Sequence, residues 1–385
     1  AMDLTINQRP HFHPPVEFVE RKGSGHPDTI CDHLAEELAR DLARTSLEQT
    51  GRVQHFNVDK AIFAAGSVDV GFGGGDHTKR SRLVLVGKVN FTEQWQPDVK
   101  ALTADTKTRL LELLPDATPD AFDVEIWLNQ SAADLADVVT QGHLDGIPRS
   151  NDTSFAAVSL PRSPLEDVVY RLEHYLNSAG YRSEVPVGRD IKVMGARHDS
   201  EVAVTVAVPV LARKVFDRET YDQVTERVRV DALALVRDVF GEDTLVRVNQ
   251  ADTPDSQYLT LTGTSAEAGD DGQVGRGNRF GGLITPYRPM SLEAAAGKNP
   301  AAHVGKTYHA FAEDISRRIV AETGTDETTI RMLSSIGHPV TEPQVVHVEA
   351  SGAVDDAAIE VIVKESLADW IGVRDRLVSG FYELY

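Results

Sequence analysis

Only one cysteine, Cys31, occurs in the 385 residues. An intrachain disulfide is therefore excluded, and so is a zinc site built on several thiolates. No apolar run approaches the roughly 18 residues that a membrane-crossing helix needs. A basic-then-apolar leader is also missing from the N-terminus, so the expectation is a cytoplasmic protein with no membrane partner. Positive charge is scarce: 39 Lys and Arg stand against 59 Asp and Glu, a formal net charge of -20. An acidic surface repels phosphate backbones, which argues against nucleic acid as a partner. A local basic pocket remains compatible with that balance.

Two nucleotide-binding signatures are missing as well. A Walker A loop needs Ser or Thr after its lysine, but Asn299 follows Gly297-Lys298, and Leu292 stands where the first glycine belongs. A dinucleotide fingerprint beginning at Gly275-x-Gly277 would need a third glycine where Phe280 stands. What is present is a globular composition, 41% hydrophobic, in a chain long enough for two or three domains.

Helical spacing links Ile30, Leu34, Leu38 and Leu42 after Asp28, and Gly51 closes that run. A second stripe, Leu165, Val168, Val169, Leu172 and Leu176, opens at Ser163-Pro164 with Glu166 three residues after the serine, a capping-box start. Val224, Val228, Leu235 and Val239 form a third stripe, and Val304, Tyr308, Phe311, Ile315 and Ile319 a fourth. Strand patterns lie between them, clearest where Val202, Val204, Val206 and Val208 alternate with other residues. The order helix, two strands, helix fits residues 28–114, 164–240 and 301–370. This predicts an α+β fold of three α/β units, each a mostly antiparallel sheet covered by helices on one face. Approximate bounds are 15–145, 146–262 and 263–385, with the units interleaved. The segment Gly71-Phe72-Gly73-Gly74-Gly75-Asp76 reads either as a mobile lid or as a tight turn between strands.

Three segments carry chemistry. Glu20 to Thr29 leads through Gly23, Gly25 and Pro27 into the first helix. A helix N-terminus suits phosphate, His26 can serve a leaving oxygen, and Asp28 either holds Mg2+ or merely caps the helix. Gly263 to Arg279 combines glycines, the adjacent Asp270 and Asp271, and the guanidinium forks of Arg276 and Arg279. Leu283 to Lys306 brings Lys298 and Lys306, which can reach phosphate, although Lys306 also fits a solvated helix position.

Taken together, Glu20–Asp28, Asn57–Lys60, Asn151–Phe155, Asp190–Gly195, Gly263–Arg279 and Gly282–Lys306 resemble the archaeal-type methionine adenosyltransferases (S-adenosylmethionine synthetases). The resemblance runs in the family's order over nearly the whole chain. It implies three interleaved domains about a pseudo-threefold axis. It implies a homodimer, or a tetramer of paired dimers, with active sites between subunits. The implied substrates are ATP and methionine, and the implied cofactors are Mg2+ and K+. By motif position, His26, Lys192, Arg276 and Lys298 are the implied catalytic set, with His26 at the leaving oxygen and the other three at the triphosphate. Asp28 is the implied magnesium ligand. Asp59, Lys60, Gln130, Asp134, Asn151, Asp152, Asp190, Asp270 and Lys306 are the implied substrate and nucleotide contacts, Asp270 reaching the methionine ammonium.

The chain departs from the family pattern in places. Asn129 and Ser131 replace glycines, Ala156 to Leu160 replaces Gly-x-Gly-Tyr-Ala, and Gly281 replaces asparagine. His33 stands for glycine and His309 for asparagine. These changes keep two alternatives open: a paralogue using another nucleoside triphosphate or thioether amino acid, and an inactive regulatory homologue.

Overall fold

The structure is a computed structural model and describes residues 2–132, 142 and 146–385. Local chemistry sets the helix limits. Helix α1 (Pro27–Thr50) begins at a proline, whose fixed φ suits the first turn, and ends before Gly51 at φ 74°. The cap is His26, not Asp28: Nδ1 of His26 accepts the Asp28 amide at 3.1 Å. Helix α2 (Val99–Leu113) is capped by Asp98. Helix α3 (Pro164–Leu176) carries the expected capping box, in which Ser163 and Glu166 each accept the other's backbone N–H. Helices α4 (Ala179–Glu184), α5 (Arg218–Phe240), α6 (Val304–Glu322), α7 (Asp356–Ala368) and α8 (Trp370–Ser379) follow. On α5 the buried stripe is Val224, Val228, Ala232 and Val236; the expected Leu235 packs partly buried against the same core, while Val239 is exposed.

Strands β1 (Asp3–Gln8) and β2 (Val16–Lys22) precede α1. β3 (Phe56–Ala64), β4 (Ser67–Gly71), β5 (Gly74–Lys79) and β6 (Ser81–Val89) separate α1 from α2, and β7 (Phe122–Gln130) and β8 (Phe155–Leu160) lie between α2 and α3. Between α4 and α5 are β9 (Lys192–His198), β10 (Glu201–Ala207) and β11 (Val210–Leu211). β12 (Thr244–Val248), β13 (Leu259–Thr260) and β14 (Gly272–Gln273) precede α6, and β15 (Thr325–Leu333) and β16 (Val345–Gly352) follow it.

Three four-stranded sheets result, ordered β14-β3-β6-β7, β2-β9-β10-β12 and β8-β15-β16-β1. Each repeats one pattern: two antiparallel pairings, then a parallel pairing at the far edge. The central antiparallel pairs β3/β6, β9/β10 and β15/β16 each lie between two helices, in the order read from the sequence, with the β4/β5 pair inserted within the first. The first strand of each sheet has a different origin. β2 leads into α1 but pairs with β9, β8 leads into α3 but pairs with β15, and β14 precedes α6 but pairs with β3. This exchange is cyclic. It places the connections into α1 and α6, which hold most of the candidate residues, where sheets of different units meet.

Each sheet buries one face. Val202, Val204 and Val206 pack with Leu165, Val169 and Leu172 of α3, the face expected from their alternation. Ile30, Leu34, Leu38 and Leu42 pack on Phe56, Phe63 and Leu85. Ala156 and Val158 sit in the third core with Phe311 and Ile315 of α6. The departure at Ala156 to Leu160 thus lies in a strand, and small side chains there admit the helix. The segment 71–76 is the tight turn: β4 and β5 pair, and the Gly73 amide donates to the Ala212 and Val215 carbonyls at 2.9 and 2.8 Å.

Candidate active site

The N-terminus of α1 gathers the first group. The cap fixes the His26 tautomer: Nδ1 accepts a hydrogen bond, so the neutral ring carries its proton on Nε2. That Nε2 lies 3.9 Å from an Asp270 carboxylate oxygen, and Nδ1 lies 3.8 Å from Asp28 Oδ2. Lys22 Nζ donates to Asp28 Oδ2 at 2.9 Å, and the Gln273 amide donates to Asp28 Oδ1 at 2.9 Å. Gly272 allows this approach, since a Cβ there would meet the Pro27 carbonyl at 2.3 Å.

Asp190 lies beneath this group. It accepts from the Ser265 amide at 2.7 Å and the Ser265 hydroxyl at 2.5 Å, and that hydroxyl lies 3.0 Å from Asp270. Burial pushes the Asp190 carboxyl above its ordinary pKa, against the pull of His26 and Ser265. Lys192 opens β9 directly opposite Lys22 of β2 and pairs with Glu20 at 2.8 Å. The Arg276 carbonyl accepts from Lys22 Nζ at 2.9 Å, which brings the arginine's loop to the same strand.

A second group forms where β3 meets the entry to α6. Lys298 is only 3% exposed, and its ammonium lies 2.9 Å from Asp59 and 3.3 Å from Glu293. Lys60 also reaches Asp59, at 2.6 Å. Burial alone would raise the Asp59 carboxyl, but the two lysines outweigh it and hold it at about 2. Lys306 is fully buried; its ammonium bonds Glu36 and the Lys298 carbonyl, both at 2.6 Å. Asn151 accepts the Val304 amide at 3.2 Å, at the N-terminus of α6.

Helix α1 joins the groups. Asp28, Asp32 and Glu36 recur every four residues and are all buried. Each accepts one backbone amide from the irregular chain before α6: Gln273, Gly275 and Gly297. The three carboxylates span about 12 Å of helix axis. Burial pushes Asp32 up to about 7, opposed by the Gly275 amide and by Arg279. Sequence reading singled out neither Lys22, Asp32, Glu36 nor Ser265. The four-residue acidic repeat was the available signal for two of them, but it ran beside the stronger apolar stripe.

Two candidates stand apart. Gln130 is exposed at the end of β7 and bonds Asn90 at 2.9 Å. Asp152 is exposed and accepts the Thr153 amide at 2.7 Å. Asp134 lies outside the described residues. Two departures find partners: His33 bonds the Tyr385 hydroxyl at 2.8 Å, and His309 stacks on Phe280 with centroids 5.2 Å apart.

A sequence profile of the S-adenosylmethionine synthetase (AdoMet synthetase) family matches residues 4–381. The chain belongs to the S-adenosylmethionine synthetase family. It is 38% identical over 376 residues to the probable S-adenosylmethionine synthase of Aquifex aeolicus, covering 92% of this chain and 91% of the relative. The S-adenosylmethionine synthase of Halobacterium salinarum is 39% identical over 385 residues, covering 95% and 94%. That of Haloquadratum walsbyi is 38% identical over 377 residues, covering 94% of each. The fold is also that of an unusual S-adenosylmethionine synthetase from Campylobacter jejuni, with TM-score 0.62, 16% identity, and coverage of 94% and 88%. Among the described residues, no three His, Cys, Asp or Glu side chains converge on a shared metal position. Mg2+ does not require such a cage, because it takes one or two carboxylates and completes its shell with phosphate and water. Asp28, a carboxylate at the N-terminus of α1, is compatible with that demand.

Proposed function

We propose that the chain converts ATP, L-methionine and water to S-adenosylmethionine, phosphate and pyrophosphate. The methionine sulfur lone pair forms the bond to C5′, and the C5′–O bond breaks with its electrons on triphosphate. Water then cleaves the triphosphate. Such a reaction needs preorganised donors for a leaving oxyanion more than a strong base. The observation that carries the reading is the His26 tautomer: Nδ1 is tied up facing Asp28, and Nε2–H is presented on the Asp270 side.

In this reading His26 donates Nε2–H to the leaving oxygen. Lys192, Arg276 and Lys298 bind the triphosphate, and Asp59 and Lys60 set the charge around Lys298. Asp190 holds Ser265 and through it Asp270, which receives the methionine ammonium. Asp28 would hold Mg2+, which when bound neutralises charge on the phosphate oxygens. K+ is a second proposed cation, with no residue assigned to it.

We also propose a homodimer, or a tetramer of paired dimers. Phe155, Phe18, Leu245, Ile62 and Trp127 are large, exposed apolar residues on strands drawn from all three sheets, which favours sheet faces covered by a second copy. Gln130 and Asp152, apart from both groups, are then residues that a second copy would bring to the site. No described helix is long and apolar enough to cross a membrane; a cytoplasmic location is proposed.

The test is mass spectrometry of the purified protein with methionine, Mg2+ and K+, run separately with ATP, GTP, CTP and UTP. S-adenosylmethionine from ATP is expected. A sulfonium from another nucleotide and none from ATP would overturn the substrate. Asp28→Asn should raise the Mg2+ concentration for half-maximal rate about tenfold, because the amide keeps an acceptor for the Gln273 N–H but loses the charge. An unchanged magnesium dependence would remove Asp28 from the metal site.

A further inference from the structure

Lys306 looks like a phosphate-binding lysine in the sequence, yet it is 1% exposed. Its ammonium is turned inward, onto Glu36 and the Lys298 carbonyl. The Glu36 oxygen that takes Lys306 also accepts the Gly297 amide at 3.0 Å. The pair therefore grips the two peptide units that flank the Gly297–Lys298 bond, through the N–H of Gly297 and the C=O of Lys298. The Gly297 carbonyl is held too, by the Val58 amide at 2.9 Å. Gly297 takes φ 78°, and a Cβ there would meet the Val58 carbonyl at 2.6 Å, so the turn admits little else.

We infer that Glu36 and Lys306 are positioning residues for Lys298: a buried ion pair that fixes the backbone from which the triphosphate-facing ammonium projects. The inference rests on the proposed function, which gives Lys298 its substrate. A buried ion pair is a poor way merely to stabilise a fold, because an apolar pair of similar volume is often as stable. Here an apolar pair would strand the Gly297 N–H and the Lys298 C=O in the interior. Burial drives the two side chains toward their neutral forms, raising Glu36 and lowering Lys306, and each opposes the shift in the other. The pair is thus self-contained, and it lies one peptide from a lysine whose placement matters. Misplacing a binding group by about 1 Å can cost on the order of a hundredfold in rate.

The test uses the full-length protein with Glu36→Gln, Lys306→Met, the charge-free double variant E36Q/K306M, and Glu36→Asp. Turnover is expressed per folded active site. Expected for the double variant is a melting temperature near that of the parent, a kcat lowered about 10- to 100-fold, and a methionine KM within about twofold. Binding of inorganic triphosphate with Mg2+, read by calorimetry, should weaken about tenfold. The two single variants should lose as much as the double, since the residues act as a unit. Parent-like kcat and triphosphate binding in the folded double variant would overturn the inference. So would a loss that follows only the folded fraction, which is what a purely structural pair gives. If the double variant does not fold, Glu36→Asp decides: it keeps the charge and shortens the reach, so the same split is expected and parent-like turnover overturns. If the parent itself forms no sulfonium, the proposed reaction fails, while the triphosphate calorimetry still tests the positioning.

Discussion

Replacing His26 with alanine should lower kcat about a thousandfold and leave the ATP KM within about threefold. The reasoning starts from the cap. Nδ1 accepts the Asp28 amide, so the neutral ring presents Nε2–H on its other side, toward Asp270. A donor aimed at charge that appears only as the C5′–O bond breaks contributes to the transition state and little to ground-state binding. Removing one such donor costs about a hundred- to a thousandfold. The alanine variant also loses the helix cap, worth about 1 kcal/mol. His26→Asn separates the two effects, because asparagine is among the strongest N-caps but does not extend a donor as far as Nε2. Stability should return with asparagine, and turnover should not. Equal loss of kcat and ATP affinity, or recovery of turnover with the cap, would take His26 away from the leaving oxygen.

The parts legible in the sequence are those set by near neighbours. The capping box at Ser163 and Glu166, the alternation from Val202 to Val206 and the repeated helix, strand, strand, helix order all depend on residues a few positions apart. The strand exchange does not. β14 is two residues long, Gly272 and Gln273, and pairs with Ile62 and Phe63 across some 210 positions. No periodicity can announce a strand that short. Lys306 shows the same limit from another side. On a helix a lone lysine reads as a solvated residue, and only the arrival of Glu36, 270 positions away, makes it a buried one. His26 was recognised as chemical, but its tautomer followed from a hydrogen bond visible only in three dimensions. Motif position pointed to Asp28, Asp270, Asp59 and Lys298; it did not point to Lys22, or to Asp32 and Glu36 of α1, which hold the intervening chain in place.

Lys298→Met should be the most damaging single change, lowering kcat/KM about a thousandfold and destabilising the fold by about 2 kcal/mol or more at pH 7. The two losses have different causes. Activity falls because a desolvated cation is removed from the triphosphate site. Stability falls because Asp59, its side chain only 9% exposed, loses its buried lysine partner and keeps only the exposed Lys60. In the parent, the folded-state Asp59 carboxyl titrates at about 2, below its ordinary 3.8. A depressed carboxyl stabilises the fold at pH above its unfolded value, here about 2 kcal/mol, and that contribution disappears as pH falls through the window from about 4 to 2. Without Lys298, only Lys60 opposes the effect of burial, so the Asp59 carboxyl is held down less firmly. The variant's deficit is then greatest at neutral pH and shrinks as the pH falls from about 4 to 2, where the parent loses the same contribution. Denaturant unfolding of parent and variant between pH 7 and pH 2 reads that gap directly. The double variant D59N/K298M removes the stranded charge, so it should recover stability but not turnover. A stability gap that ignores pH would mean that Asp59 is not what Lys298 compensates. Turnover recovered in the double variant would mean that the ammonium serves only to neutralise Asp59, and the triphosphate would need another cation at that end of the site.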